Sequence, residues 1–437
     1  MNRIATLLLQ AVFALVLLLP FPTATAQSFK TNQVIVASGG QFGNPNNYVR
    51  IGAYNPNTKV YTVFDSIRAA STKTVITDGK FTYLTADTLL VKYDIDNHTR
   101  MAVTPKSTTG LSYLATYKNY VIATRGYGAG SDFVKVYNNT DLTEAFTITG
   151  ISDQAAGIVV VGDTAYVAVA GPYNKDTGTI AVIDLVNMQL KREIMLDTLG
   201  AQIGRIFTDG TNVYAVNSKR NVITTYNVAT CALTHKIGYN SYPSGFGVGL
   251  DDNKVFMDFG YSGIGYYDIE GDAFSQQLLV NYNKIPGIST FSNFISGAAI
   301  DTLNNLFYVS ATNYASTGET YIFNTMGEMI DTFAVGVSPE AIAVDYRSTV
   351  GIQKSSSKGN LLVNAYPNPA KNTLYIGAEN LTNAIITVTD ISGKVVMQQN
   401  VENNPITQIN IQHLPAGLYI INVKADQANG VQKFIKQ

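Results

Sequence analysis

Short apolar segments recur at a regular interval between Phe29 and Thr349. Each unit reads as an apolar strand, a loop rich in glycine or asparagine, a second strand ending in a Tyr-Asp-like pair, a polar turn and a third strand. Seven copies begin VIVASGG, FTYLTAD, YVIATRG, AYVAVAG, VYAVNSK, VFMDFGY and LFYVSAT, with first residues Val34, Phe81, Tyr120, Ala165, Val213, Val255 and Leu306. The spacing of about 40 to 50 residues is that of propeller blades. A further short apolar strand lies between copies, in KTVITDG, GIVVVGD, GRIFTDG, GFGVGLD and GAAIDTL. It predicts four strands per blade, with this one innermost.

The last such strand, Glu340 to Tyr346, has no blade after it, and the first copy has none before it. Pairing the two closes a ring and hides edge strands that otherwise invite aggregation. The pattern therefore predicts an all-β chain with a seven-bladed β-propeller over residues 27–349. Reading the divergent third or sixth unit differently gives six or eight blades.

Two other stretches break the repeat. Residues 350–362, around the run QKSSSKGN, lack periodicity and read as a linker. Beyond them LYIGAE, IITVTDISGKVV, QINIQHL and GLYIINVKA alternate apolar and polar positions between turns, which predicts a small Ig-like β-sandwich over 363–437. At the other end Arg3, the apolar run Leu7 to Leu19 and the small residues Ala24, Thr25 and Ala26 read as a cleavable signal peptide over 1–26. That run falls short of the ~20 residues of a membrane span, so the mature chain is expected to begin near Gln27.

Composition narrows the partners. Lys and Arg number 30 against 31 Asp and Glu, and no basic stripe is visible, which disfavours nucleic acid and anionic lipid. Cys231 is the only cysteine, so no disulfide forms within the chain and a lipid-anchoring cysteine after the signal is lacking.

The C-terminal motifs YPNPA, DISGKVV, INIQHLPAGLYIINV and KFIKQ, in that order, resemble the type A sorting domain of the Bacteroidetes type IX secretion system. The matching residues are Tyr366, Pro367, Asn368, Pro369, Asp390, Gly393, Lys394, Leu414, Gly417, Tyr419, Lys433, Phe434, Ile435 and Lys436. The resemblance implies export through the periplasm to the cell surface or medium, with the type IX machinery as partner and removal of the tail by a peptidase outside. Units such as IAVIDLVNMQL and AYVAVAG resemble YncE-like, or YVTN, propellers.

Catalytic chemistry finds little anchor. Asp78, Asp163, Asp209, Asp251, Asp301 and Asp345 share one repeat position, and Asp94, Asp184 and Asp268 another, so they read as turn caps. His98, His235 and His413 fall in separate blades or domains, which leaves neither a zinc set nor a triad. No G-x-S-x-G elbow or phosphate loop is present. No cofactor and no metal site are expected.

The loops between each copy's first and second strands are more suggestive, because a propeller gathers them on one face. QFGNPNNY, RGYGAGSD, AGPYNKDTG, GYSGIG and NYASTGE are long and supply Phe42, Asn47, Tyr48, Arg125, Tyr127, Tyr173, Asn174, Tyr261 and Tyr314. Tyr242 joins them from an interblade connection. Aromatic rings with amide side chains suit stacking and hydrogen bonding to a ligand. The expectation is a non-catalytic binding propeller for a small molecule, glycan or surface protein. YncE-like propellers on Bacteroidetes surfaces include cobalamin-capturing proteins, so the resemblance makes a corrinoid one candidate. The alternatives are a polymer-acting lyase or hydrolase, with Arg125, Arg205, Lys219 and Arg220 near the channel mouth, and a structural or adhesive surface-layer protein.

Overall fold

The computed structural model describes residues 29–41, 43, 44, 46–106, 109–126, 130–217, 219, 222–238, 247–251, 253–260, 262–348, 361, 363–378, 384–391, 393–401, 406–425 and 429–437. The expected signal peptide, and the expected linker apart from Leu361, lie outside them.

Seven antiparallel sheets of the propeller pattern follow one another among the described residues. Blades 2 to 7 begin with the innermost strands Val75–Thr77, Leu114–Tyr117, Ala155–Val161, Ile203–Thr208, Gly247–Asp251 and Phe294–Asp301. In each, the next three strands step outward in chain order. Blade 6 departs slightly, because its outer strand is split into Ala273–Phe274 and Val280–Asn281, both paired to Gly263–Asp268.

Blade 1 is built from both ends of the ring. Pro339–Ser348 is its innermost strand and pairs antiparallel with Phe29–Ser38, from Phe29 opposite Ser348 to Ser38 opposite Pro339. The closing strand read from the repeat pattern thus lies where expected, two residues longer at its C-terminal end. Each innermost strand packs beside the next, and Phe294–Asp301 packs beside Pro339–Ser348, so the circle is complete.

Burial explains why these sequences hold as strands. A blade is covered on both faces by its neighbours, so its middle strands are buried along nearly their whole length, as in Phe81–Ala86. Outer strands such as Val60–Ile67 face solvent and mix exposed with half-buried positions. Seven apolar clusters sit between successive blades; the one joining blades 7 and 1 brings Val34, Val36 and Tyr54 against Tyr308, Ile322 and Phe333. Tyr54 stacks on Phe333 with ring centroids 4.2 Å apart.

The aspartates at the inner turns act largely as caps. Asp78 Oδ1 accepts the amides of Lys80 and Phe81 at 2.9 and 2.6 Å, and Asp209 Oδ1 those of Thr211 and Asn212 at 2.8 and 2.6 Å. Their second oxygens take the hydroxyls of Tyr83 and Tyr214 from the following strand. Asp163 instead reaches across to Tyr117 and Lys118 of blade 3. Asp345 is buried and paired with Arg347.

The C-terminal domain is a sandwich of a three-stranded sheet, Val363–Tyr366, Thr373–Ala378 and Ile406–Asn410, and a four-stranded sheet. The latter runs Val395–Val401, Ala384–Asp390, Gly417–Lys424 and Asn429–Lys436. Leu374, Ile376, Ile386, Val388, Ile421 and Phe434 fill the space between them.

Candidate functional site

In each blade the loop between second and third strands and the connection to the next blade emerge on one face, here called the upper face. The turns leading out of the innermost strands emerge on the lower face. Of the predicted ligand contacts, four reach outward from the upper face. Tyr48 is 46% exposed, Tyr173 91% and Tyr314 41%, and Asn174 is exposed beside Tyr173.

Two predicted contacts turn inward. Asn47 is 8% exposed: its Nδ2 donates to the carbonyls of Gly39 and Ala70 at 2.7 and 2.9 Å, and its Oδ1 accepts the amide of Gln41 at 2.9 Å. A Cβ at Gly40, where φ is +78°, would fall on that same amide group. Asn47 therefore holds its loop together. Arg125 is 4% exposed and donates from Nη1 to the carbonyl of Asp132 at 3.1 Å, bracing its own loop. Phe42, Tyr127, Tyr242 and Tyr261 lie outside the described residues.

The structure adds aromatic residues that sequence reasoning passed over. The connection from blade 6 to blade 7 is anchored by buried Tyr282, Ile285 and Ile288 and turned at Gly287, whose carbonyl accepts the amides of Ser292 and Asn293. That anchoring leaves Phe291 62% exposed, with φ at +55°. A left-handed backbone at a bulky residue is uncommon and is held here by its surroundings. Phe294, next along, lies 5.9 Å from the Tyr314 ring at 32°. Their signal in the sequence is STFSNF, two aromatic residues in a polar stretch between blades.

Charged groups at the channel mouth have separate partners. Arg205 lies 4.8 Å over the ring of Tyr113, Lys175 pairs with Asp153 at 2.7 Å, and Lys219 pairs with Asp176. Arg220 is outside the described residues. Glu340, at the start of the closing strand, accepts the Ser338 hydroxyl at 2.8 Å. Burial pushes its carboxyl above the ordinary range, with nearby Lys73 pulling the other way. His98 stacks on Phe64 at 4.4 Å and bonds Gln33, while His235 bonds Thr224 in another blade.

Toward the lower face a cavity of about 270 Å³ is lined by Val248, Leu250, Ala299, Ile300, Val344 and Tyr346, among others. A larger cleft of about 590 Å³ lies between the lower turns of blades 3 to 5 and the C-terminal domain.

In that domain the motifs interlock. Asn368 donates from Nδ2 to the Lys433 carbonyl at 3.1 Å and accepts the Ile435 amide at 2.8 Å. Ala370 donates to the Ile435 carbonyl and accepts from Gln437, so YPNPA clasps the last residues of the chain, 433–437. Gly393, at φ +85°, closes the turn in which the Lys394 amide donates to Asp390 Oδ1 at 3.1 Å. Tyr419 stacks on Phe434 at 5.4 Å and donates its hydroxyl to the Pro415 carbonyl at 2.8 Å.

Residues 364–437 match the secretion system C-terminal sorting domain family. The sorting domain thus carries an address for export, to the cell surface or the medium, and implies contact with the type IX machinery. No helix among the described residues is long and apolar enough to cross a membrane. A comparison with curated proteins gives no match.

Among solved structures the chain is similar to that of U3-55K, with TM-score 0.47 and 7% identity over 70% of this chain and 88% of that one. It is also similar to a chain of the mitotic checkpoint complex, with TM-score 0.48 and 13% identity over 67% and 93%. The computationally designed Ika8 protein gives TM-score 0.43 and 15% identity over 83% and 96%.

Proposed function

We propose that the chain is a binding propeller of the YncE-like kind, delivered by type IX secretion, that takes its ligand on the upper face. The observation that carries this reading is the set of exposed rings on that one face: Tyr48, Tyr173, Phe291 and Tyr314. Exposed aromatic rings cost free energy in water and supply contact area with little side-chain entropy to lose, which is the economy of a recognition surface. Asn174 is exposed beside Tyr173, and beside Tyr314 the exposed Asn313 and Ser316 bond one another. Lys175 and Lys219 nearby are engaged by Asp153 and Asp176, and the rings suit an uncharged ligand with a stacking face, a glycan or a corrinoid.

Titration of the intact chain with cyanocobalamin, and a glycan array run in parallel, test this. Tyr173→Ala and Tyr314→Ala together are expected to weaken the bound member at least about tenfold, the scale of one or two lost aromatic contacts. Binding that survives both substitutions contradicts the reading.

A polymer-acting enzyme is the second reading, and Glu340 is the observation that favours it. A carboxyl that stays protonated above the usual range is suited to general acid work. Turnover of a polymer that Glu340→Gln abolishes would establish it.

A further inference from the structure

The two sheets of the sorting domain present different outer faces. On the four-stranded sheet, Leu418 faces out opposite Ile435, with Val431 beyond, and all three are exposed. On the three-stranded sheet the outward residues are Tyr366, Tyr375 and Gln408, since Ala365, Leu374, Ile376 and Ile409 point into the core. Tyr366 and Tyr375 sit opposite each other in register and stack at 5.6 Å and 19°.

That pair meets the propeller. The cleft it borders is walled on the other side by Tyr117 and Lys118 of blade 3, Gly162 and Asp163 of blade 4, and Asp209 and Gly210 of blade 5. The two meet at Gly210, which sits at φ +85° and where a Cβ would overlap the Tyr375 hydroxyl. The hydroxyl's pKa is raised by burial and by the Asp209 carboxylate, as expected of a ring set down on this turn.

We propose that the lower turns of blades 3 to 5 are a docking surface for the chain's own sorting domain, engaged through Tyr366 and Tyr375. The covered sheet is then the one that carries the tyrosines, joined at its rim by Gln399 from the edge strand of the other sheet, and the outer face with Leu418, Val431 and Ile435 stays available to the export machinery. Docking is on the face opposite the exposed loop aromatics, so it leaves them uncovered. It also means that removal of the tail bares a second surface, with Tyr117, Lys118 and Asp163 at its centre.

Small-angle scattering of the intact chain, with hydrogen exchange read at residues 116–118, 160–163 and 208–211, tests the proposal. The chain is expected to scatter as one compact body, and Tyr375→Glu, which sets a carboxylate beside Asp209, is expected to enlarge the radius of gyration and remove protection from those turns. Tyr375→Phe keeps the ring and should leave both readings unchanged. Retained protection of 417–424 and 429–436 in Tyr375→Glu shows that the sorting domain is still folded. Two-body scattering from the unsubstituted chain overturns the proposal without any variant. So does a folded Tyr375→Glu chain whose size and exchange match those of the unsubstituted one.

Discussion

Asn368 shows how one side chain turns a sequence motif into structure. Its amide both donates to and accepts from the backbone of the terminal strand, at Lys433 and Ile435. Asn368→Ala removes two exposed hydrogen bonds, and the sorting domain should lose roughly 1 to 2 kcal/mol, read as a lower denaturant midpoint for that domain alone. Glu340 gives a residue-scale prediction with a pH sign. Because its folded pKa is raised, the folded chain keeps a proton that the unfolded chain releases just above the ordinary value of 4.5. Stability contributed by this group is therefore present below that value and lost as pH rises toward the folded pKa. Glu340→Gln should be more stable than the parent at pH 7 and no more stable at about pH 4, and equal midpoints at both would contradict the assignment. Some residue roles were hidden in the sequence. Asn47 and Arg125 have the composition of binding residues, and only the loop carbonyls around them show that they are committed inward.

At the scale of elements the inner turns are the recurring unit. Asp209, Gly210 and Tyr214, like Asp78, Gly79 and Tyr83, form a turn whose carboxylate caps two amides and receives a buried hydroxyl. Asp209→Ala leaves the Tyr214 hydroxyl and turn amides short of an acceptor, and is expected to cost about 1 to 3 kcal/mol in global unfolding. The repeat was legible because each copy buries the same positions and caps the same turn. Blade count and closure followed from that regularity, down to the unpaired segment Glu340 to Tyr346 that pairs with Phe29–Ser38. The split outer strand of blade 6 was not legible, since Ala273–Phe274 and Val280–Asn281 are too short to leave an alternating pattern. Phe291 escaped for a related reason: its exposure depends on Ile285 and Ile288 being anchored in a core shared by two blades.

The whole molecule has two faces of different character. On the upper face lie the exposed rings at Tyr48, Tyr173, Phe291 and Tyr314, and on the lower face the turns that meet Tyr375. Its two ends differ in legibility too. The sorting motifs could be read because they are local and ordered, whereas nothing local in the chain encodes which outer sheet face of the sorting domain meets the ring. A ring closed by Pro339–Ser348 should unfold as one cooperative unit, and a chain lacking 339–348 should lose that cooperativity and associate through the exposed edge of Phe29–Ser38. Recognition by the upper face is tested most directly by a paired titration, in which the bound member of the cyanocobalamin and glycan panel is added to the Tyr173→Ala/Tyr314→Ala chain and to the Tyr375→Glu chain. Upper-face recognition predicts that affinity falls in the first and holds in the second. Unchanged affinity in the first, or loss only in the second, would place binding elsewhere.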